Sequence, residues 1–130
     1  MSQFGSNIAE FEMDISNWVK DALPKQVVAF HQKVAMEALE GVVNMNPVKT
    51  GRSRANWQAG LAPNDIEMAN WPSRDPLTEG LQGISSVKPF GTIYLWNNVP
   101  YIVDLEDGSS RQAPNGMVAV TLARLEMMFE

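Results

Sequence analysis

Apolar positions in the first part of the chain recur every three or four residues, which is the spacing of one face of an α-helix. A capping-box pattern, Asn7 with Glu10, stands at the start of this series. The sequence therefore predicts an amphipathic helix over about residues 7–22. Its apolar face would contain Ile8, Phe11, Ile15, Trp18, Val19 and Ala22.

A second and longer amphipathic helix is predicted over about residues 24–45. Pro24 has no N–H to donate and is tolerated only in a first turn, so we expect it to break the first helix or to start this one. His31, the only histidine, falls near the middle of the apolar arc, where a titrating side chain needs a partner. We expect it in the core or at an interface rather than in catalysis. Asn46-Pro47 ends the helix, because a residue before proline is disfavoured in helical conformation.

Two later segments have strand patterns. Residues 55–61 alternate apolar with polar or small side chains, which predicts a half-buried strand. Residues 92–97 are rich in β-branched and aromatic side chains, and we expect them at the centre of the sheet. Between these segments, residues 62–74 contain many turn-forming residues and predict an irregular loop.

The remaining segments give weaker predictions. Asp75-Pro76 can open a short helix, although Gly80 and Gly83 reduce helix propensity there. Residues 101–106 fit a turn of helix and a strand equally well. Residues 117–129 are loosely helical. Together the patterns predict one α+β domain over residues 1–130, with N-terminal helices, one of them long and amphipathic, packed on a small, mostly antiparallel sheet, and a C-terminal helix.

The charge balance restricts the function. Fifteen acidic against ten basic residues give the 130-residue chain a net charge of −5. This argues against a domain that wraps nucleic acid by neutralising phosphates. The chain has no cysteine, and no run of about eighteen apolar residues or secretory start is visible. We therefore expect a soluble, intracellular protein without a membrane segment.

Two charged clusters were considered as binding sites. Lys49, Arg52 and Arg54 surround the Thr50-Gly51 turn and could hold a phosphate, but the glycine spacing of a Walker loop is missing. The acids before Gly108 superficially resemble a calcium loop, but the twelve-residue pattern with its terminal glutamate is missing. We therefore expect no cofactor and no metal site.

The sequence also lacks the motifs of the main enzyme classes, such as Gly-x-Ser-x-Gly and His-Glu-x-x-His, so we expect no enzymatic activity. Two alternatives stay open. A small acidic regulatory module that binds protein as a dimer would look similar. A carboxylate-dependent hydrolase would need Asp104 or Glu106 for activity.

Two stretches rich in turns and charges resemble a known family. The first is Asn46-Pro47-Val48-Lys49-Thr50-Gly51-Arg52, followed by Arg54 and Trp57. The second contains Thr92-Ile93-Tyr94, Asn97-Asn98-x-Pro100-Tyr101, Leu105-Glu106-x-Gly108-Ser109 and Gln112-Ala113-Pro114-x-Gly116-Met117-Val118. In order and approximate spacing they resemble neck and tail-completion proteins of tailed bacteriophages. Ser53 departs from the family pattern, which usually has leucine there.

The resemblance implies a structural virion subunit that forms a ring, with six copies as the expected number, at the head–tail junction. Either a neck protein or a tail terminator fits. Its partners would be other copies, tail-tube protein and the head connector, while DNA passes through without specific binding. We expect the basic corner of one subunit to meet the acidic turn of the next. The residues predicted at this interface are Lys49, Thr50, Gly51, Arg52, Arg54, Tyr101, Glu106, Asp107, Gly108 and Arg111.

Overall fold

The fold is α+β, as the sequence predicts, in a computed structural model that describes residues 18–129. Within that range a long helix and a C-terminal helix accompany a two-stranded antiparallel sheet. The elements are a π-helical turn at Trp18–Ala22, α1 (Leu23–Met45), α2 (Arg52–Ala55), β1 (Gln58–Gly60), a 3-10 turn at Trp71–Ser73, α3 (Pro76–Gly83), β2 (Tyr94–Trp96), α4 (Ile102–Glu106) and α5 (Val118–Met128).

The long helix α1 occupies the predicted range almost residue for residue. Pro24 does not separate it from the preceding turn, because this proline lies in the first turn of α1, where no intrahelical N–H bond is needed. Of the predicted helix over residues 7–22, residues 7–17 lie outside the described range. At the other end, Asn46 is extended and stops α1, as expected before a proline.

The strands are shorter than the sequence predicts. β1 and β2 pair antiparallel over three residues each, with Ala59 opposite Leu95. Ala55, predicted as the start of the first strand, lies in α2 instead. The predicted half-buried alternation is wrong as well, since residues 56–60 are all buried. With two strands in the described part of the chain, β2 pairs with β1 alone and has no central position.

The helix α3 covers β1 at short range, which explains the burial of that strand. A Cβ at Gly83 would lie 2.3 Å from the carbonyl oxygen of Ala59, so this glycine permits the contact. The same residue made the helix doubtful from sequence. Asp75 caps α3: its carboxylate accepts hydrogen bonds from Leu77 N (3.2 Å) and Thr78 Oγ1 (2.7 Å), and the Thr78 bond lowers the pKa of Asp75.

The segments with ambiguous patterns are helical. Residues 102–106 form α4, and α5 fits the loosely helical pattern predicted over residues 117–129. α1 and α5 run antiparallel, because Gly41 of α1 approaches Thr121, whereas Phe30, nearer the start of α1, stacks on Phe129. No helix within residues 18–129 has the length and apolar character needed to cross a membrane.

The core lies between α1, β1 and the segment leading into α5. Leu39, Ile84 and Met117 are fully buried there. The cluster of buried residues comprises Ala35, Leu39, Val42, Val43, Trp57, Ala59, Ile84, Ala113 and Met117. His31 lies outside this cluster, half-buried near the start of α1. The core thus contains residues just before the first motif stretch, Val42 and Val43, and residues of the second, Ala113 and Met117.

Candidate functional site

The two turn-rich stretches meet on one face of the molecule. Residues 47–53 form one wall of a groove of about 820 Å³, and the segment from Tyr101 to Gln112 supplies the opposite wall. Trp71, from the predicted loop, contributes to the lining as well. We call this surface the motif face. The sequence placed both stretches at an interface but did not predict that they adjoin within one chain.

A side-chain amide holds the two walls of the motif face together. The backbone N–H of Val48 donates to Gln112 Oε1 at 2.9 Å, and Gln112 Nε2 donates to the Val48 carbonyl at 3.3 Å. The amide thereby satisfies both backbone groups of Val48, as a neighbouring strand would. Gln112 therefore positions residue 48 from 64 positions away in the sequence.

Arg52 has its charged partner within the chain. Its Nε and Nη2 donate to the two carboxylate oxygens of Glu67 at 2.5 and 2.6 Å, and its guanidinium lies 5.4 Å from the centre of the Tyr101 ring. The hydrogen bond raises the pKa of Arg52 and lowers that of Glu67. Arg52 therefore braces the motif face, and other charges are better placed to meet a neighbouring subunit.

A buried network fixes the start of the first stretch. Asn46 Nδ2 donates to Ser53 Oγ (2.7 Å) and to the Pro47 carbonyl (2.9 Å), while Asn46 Oδ1 accepts from Trp57 Nε1 (2.9 Å). Asn97 also donates to the Ser53 carbonyl, which ties the corner to the end of β2. Ser53, where this chain departs from the family pattern, thus accepts hydrogen bonds in this network through both its hydroxyl and its carbonyl oxygen.

Glu106 caps the last helix from a distance. Its Oε1 accepts from the backbone N–H groups of Met117 and Val118, both at 2.8 Å, and Oε2 accepts from Ala119 at 3.1 Å. α5 has no local side-chain cap, so this carboxylate satisfies its free N–H groups. Burial acts to raise the pKa of Glu106, but the three backbone donors outweigh it and lower the pKa. Glu106 is thus structural in the folded chain.

Glu106→Gln is expected to destabilise the chain by about 1 kcal/mol near pH 7, since a neutral amide oxygen accepts these N–H bonds less well. Because the folded pKa is lowered, the carboxylate contributes its stability above the unfolded pKa and loses it as pH falls through the folded pKa. The difference between wild type and variant should therefore shrink on acidification. Urea unfolding of both proteins at about pH 7 and about pH 3 measures it. A difference that stays constant with pH would contradict the capping role.

The other predicted interface residues make no such internal side-chain bonds in the described part of the chain, or lie at turns. Thr50 and Gly51 form the rim of the groove, and Gly108 ends α4 in a left-handed conformation. Lys49, Arg54, Asp107 and Arg111 are exposed. Within residues 18–129 the three bases among them form no ion pair.

Tyr101 separates a basic part of the motif face from an acidic part. The groove with Lys49 lies on one side of the ring, and a second depression of about 490 Å³ with Asp104 and Asp107 lies on the other. Aromatic side chains are enriched in protein–protein interfaces, whose rims are polar. Within the part of the chain that the structure describes, no group of three His, Cys, Asp or Glu side chains could hold a metal ion.

Sequence reasoning missed several residues that build this face. Glu67 lies in the predicted irregular loop, and no sequence pattern indicated that it binds Arg52. Arg74 is another example: its side chain is 3% exposed, and it donates to the Ala55 carbonyl at 2.6 Å and to Glu79 at 3.1 Å. The roles of the buried Asn46 amide and the exposed Gln112 amide depend on how the chain folds around them, since Gln112 bonds a residue 64 positions away.

Comparison with known proteins yields no relative for this chain: no protein-family model, no curated protein and no solved structure matches it.

Proposed function

We propose that the protein is a structural virion subunit of a tailed bacteriophage, which forms a ring at the head–tail junction as a neck or tail-completion protein. The observation that carries this proposal is the convergence of the two family-like stretches on the motif face. The resemblance of these stretches supplies the phage assignment, and the geometry supplies a surface suited to a neighbouring subunit. Nothing in this role requires a cofactor.

The motif face is preorganised. The amides of Asn46 and Gln112, the Arg52–Glu67 pair and the Glu106 cap all hold it through bonds inside the chain. A surface that is already ordered loses little conformational entropy when it binds. This favours a surface that docks repeatedly in one orientation, as ring assembly requires.

The charges on the face suit a contact between unlike surfaces. In a closed ring each subunit uses two different patches, so the basic side of one motif face can meet the acidic side of the next. Because Arg52 and Glu106 are engaged internally, the pairing on the motif face falls to Lys49 and Arg111 opposite Asp104 and Asp107. Arg54 lines an adjoining depression. The net charge of −5 suits a ring through which DNA passes without being held.

Reversing one of these charges tests the proposal. Lys49→Glu, at an exposed position that lines the groove, is expected to weaken ring association about tenfold, since it places like charges opposite each other at the contact. Arg124→Glu, the same charge reversal at an exposed position of α5, is the matched control and should leave the rings intact. Rings are counted in negatively stained electron micrographs of the purified proteins. A wild type that forms only dimers would refute the ring and favour the regulatory module instead.

A further inference from the structure

A second surface, at the start of α1, is apolar and open. Val27, Phe30, His31 and Val34 of α1 form a groove of about 470 Å³ with Phe90 and Gly91 of the loop before β2. We call it the amino-terminal groove. Phe90 is 83% exposed and Phe30 is 56% exposed. Two phenylalanines this accessible in one groove are typical of a surface that another polypeptide covers.

The backbone at Phe90 points to the same conclusion. Its φ is 61°, a left-handed conformation that side chains other than glycine adopt rarely, at a cost of roughly 1 kcal/mol. Its exposed ring recovers little of this cost through burial within the chain. The loop thus presents an aromatic side chain outward, as an anchor for a partner.

Three exposed lysines lie close to the amino-terminal groove, while the half-buried Glu37 follows Val34 by about one turn of α1. Lys33 is exposed beside His31 and Val34, and Lys88 is exposed two residues before Phe90. Lys25, also exposed, lies in an adjoining depression with Pro89. The expected occupant therefore has an apolar stripe flanked by acidic side chains.

The first 17 residues of the chain have this composition. They carry Glu10, Glu12 and Asp14 and no lysine or arginine, so they hold −3 of the net charge of −5. Their apolar residues Ile8, Phe11 and Ile15 have helical spacing. An apolar stripe with acidic flanks suits an apolar groove with exposed lysines nearby.

We propose that residues 8–15 of one copy occupy the amino-terminal groove of a neighbouring copy. Residues 18–22 lead directly into α1, so the chain enters that helix from the end away from Val34. This inference rests on the proposed assembly of copies, and such an exchange joins two different patches, as ring closure requires.

Disulfide trapping tests the exchange cleanly, because the chain has no cysteine of its own. Full-length Glu12→Cys protein is mixed with full-length Gln26→Cys protein of a different tag mass and then oxidised. Both substitutions leave the apolar side chains unchanged, and Gln26 lines the groove. The expected product is a disulfide-linked pair of the two species. Glu12→Cys mixed with Ser109→Cys, exposed on the acidic side of the motif face, is the control and should give about tenfold less product.

Further outcomes separate this inference from the ring itself. Adding Phe90→Ser to the groove partner should reduce the trapped pair about tenfold, since it removes an aromatic anchor. A double variant with Glu12→Cys and Gln26→Cys that links only within its own chain would overturn the exchange, as would absence of any mixed product. Mixed pairs without closed rings would support the exchange and refute the ring. Closed rings without mixed pairs would support the ring and refute the exchange.

Discussion

Gly116→Ala is expected to lower the free energy of unfolding by about 3 to 4 kcal/mol, from left-handed strain, overpacking and loss of a helix cap. Gly116 has a φ of 82° and precedes α5. An added Cβ would lie 2.4 Å from the Glu106 carbonyl oxygen and 2.7 Å from its Oε2. The methyl group would therefore displace the carboxylate that caps α5. Urea unfolding followed by circular dichroism measures the loss.

Gly51→Ala separates backbone strain from the clash. Gly51 has a similar φ of 92°, but an added Cβ would find only Trp71 within 4 Å, at an ordinary contact distance of 3.8 Å. Its cost should be the conformational strain alone, about 1 to 2 kcal/mol. Equal losses for the two variants would show that the cap is not displaced.

Asn46→Ala is expected to cost about 3 kcal/mol, because it leaves two buried polar groups without partners. Trp57 Nε1 and Ser53 Oγ both bond the Asn46 amide, and all three residues are buried. Asn44→Ala, at an exposed position in the last turn of α1, is the matched control and should change stability by less than about 0.5 kcal/mol. Thermal or urea unfolding gives both values.

Coupling to Trp57 gives a sharper test of the same network. Removing the orphaned donor with Trp57→Phe in the Asn46→Ala background should cost less than Trp57→Phe does in the wild type, since no hydrogen bond remains to lose. Additive losses would contradict the network. Because Asn46 also bonds the Pro47 carbonyl, Asn46→Ala should loosen residues 47–53 and weaken assembly along with stability.

Sequence periodicity predicted the long helix α1 well and the strands poorly, for a physical reason. α1 is 23 residues long and its apolar stripe repeats over many turns, so the pattern is strong. β2 has three residues, although Thr92 and Ile93 before it also favour strand conformation. The polar residues after β2 bond loops instead: Asn97 donates to the Ser53 carbonyl, and Asn98 to the Asn64 and Ile66 carbonyls. Asn97-Asn98 does give a local turn signal, but the loops that these side chains bond lie more than 30 positions away and cannot be identified from it.

The candidate site likewise has features that the sequence predicts and features that only the tertiary structure shows. The turn-forming residues of the two stretches are visible in the sequence, because Gly51 and Gly116 mark left-handed turns. The engagement of Arg52 by Glu67, 15 residues on, and of the Glu106 carboxylate by Met117, 11 residues on, depends on tertiary geometry. Sequence reasoning therefore located the stretches but could not tell which of their charges remain available for a neighbour.

The mass of the purified protein in solution tests the ring most directly. Native mass spectrometry across a range of concentration and salt should find a closed species of about six subunits. Its population should fall as salt rises, because exposed charges at the contacts are screened. A monomer or a tight dimer at every concentration and salt would contradict the account.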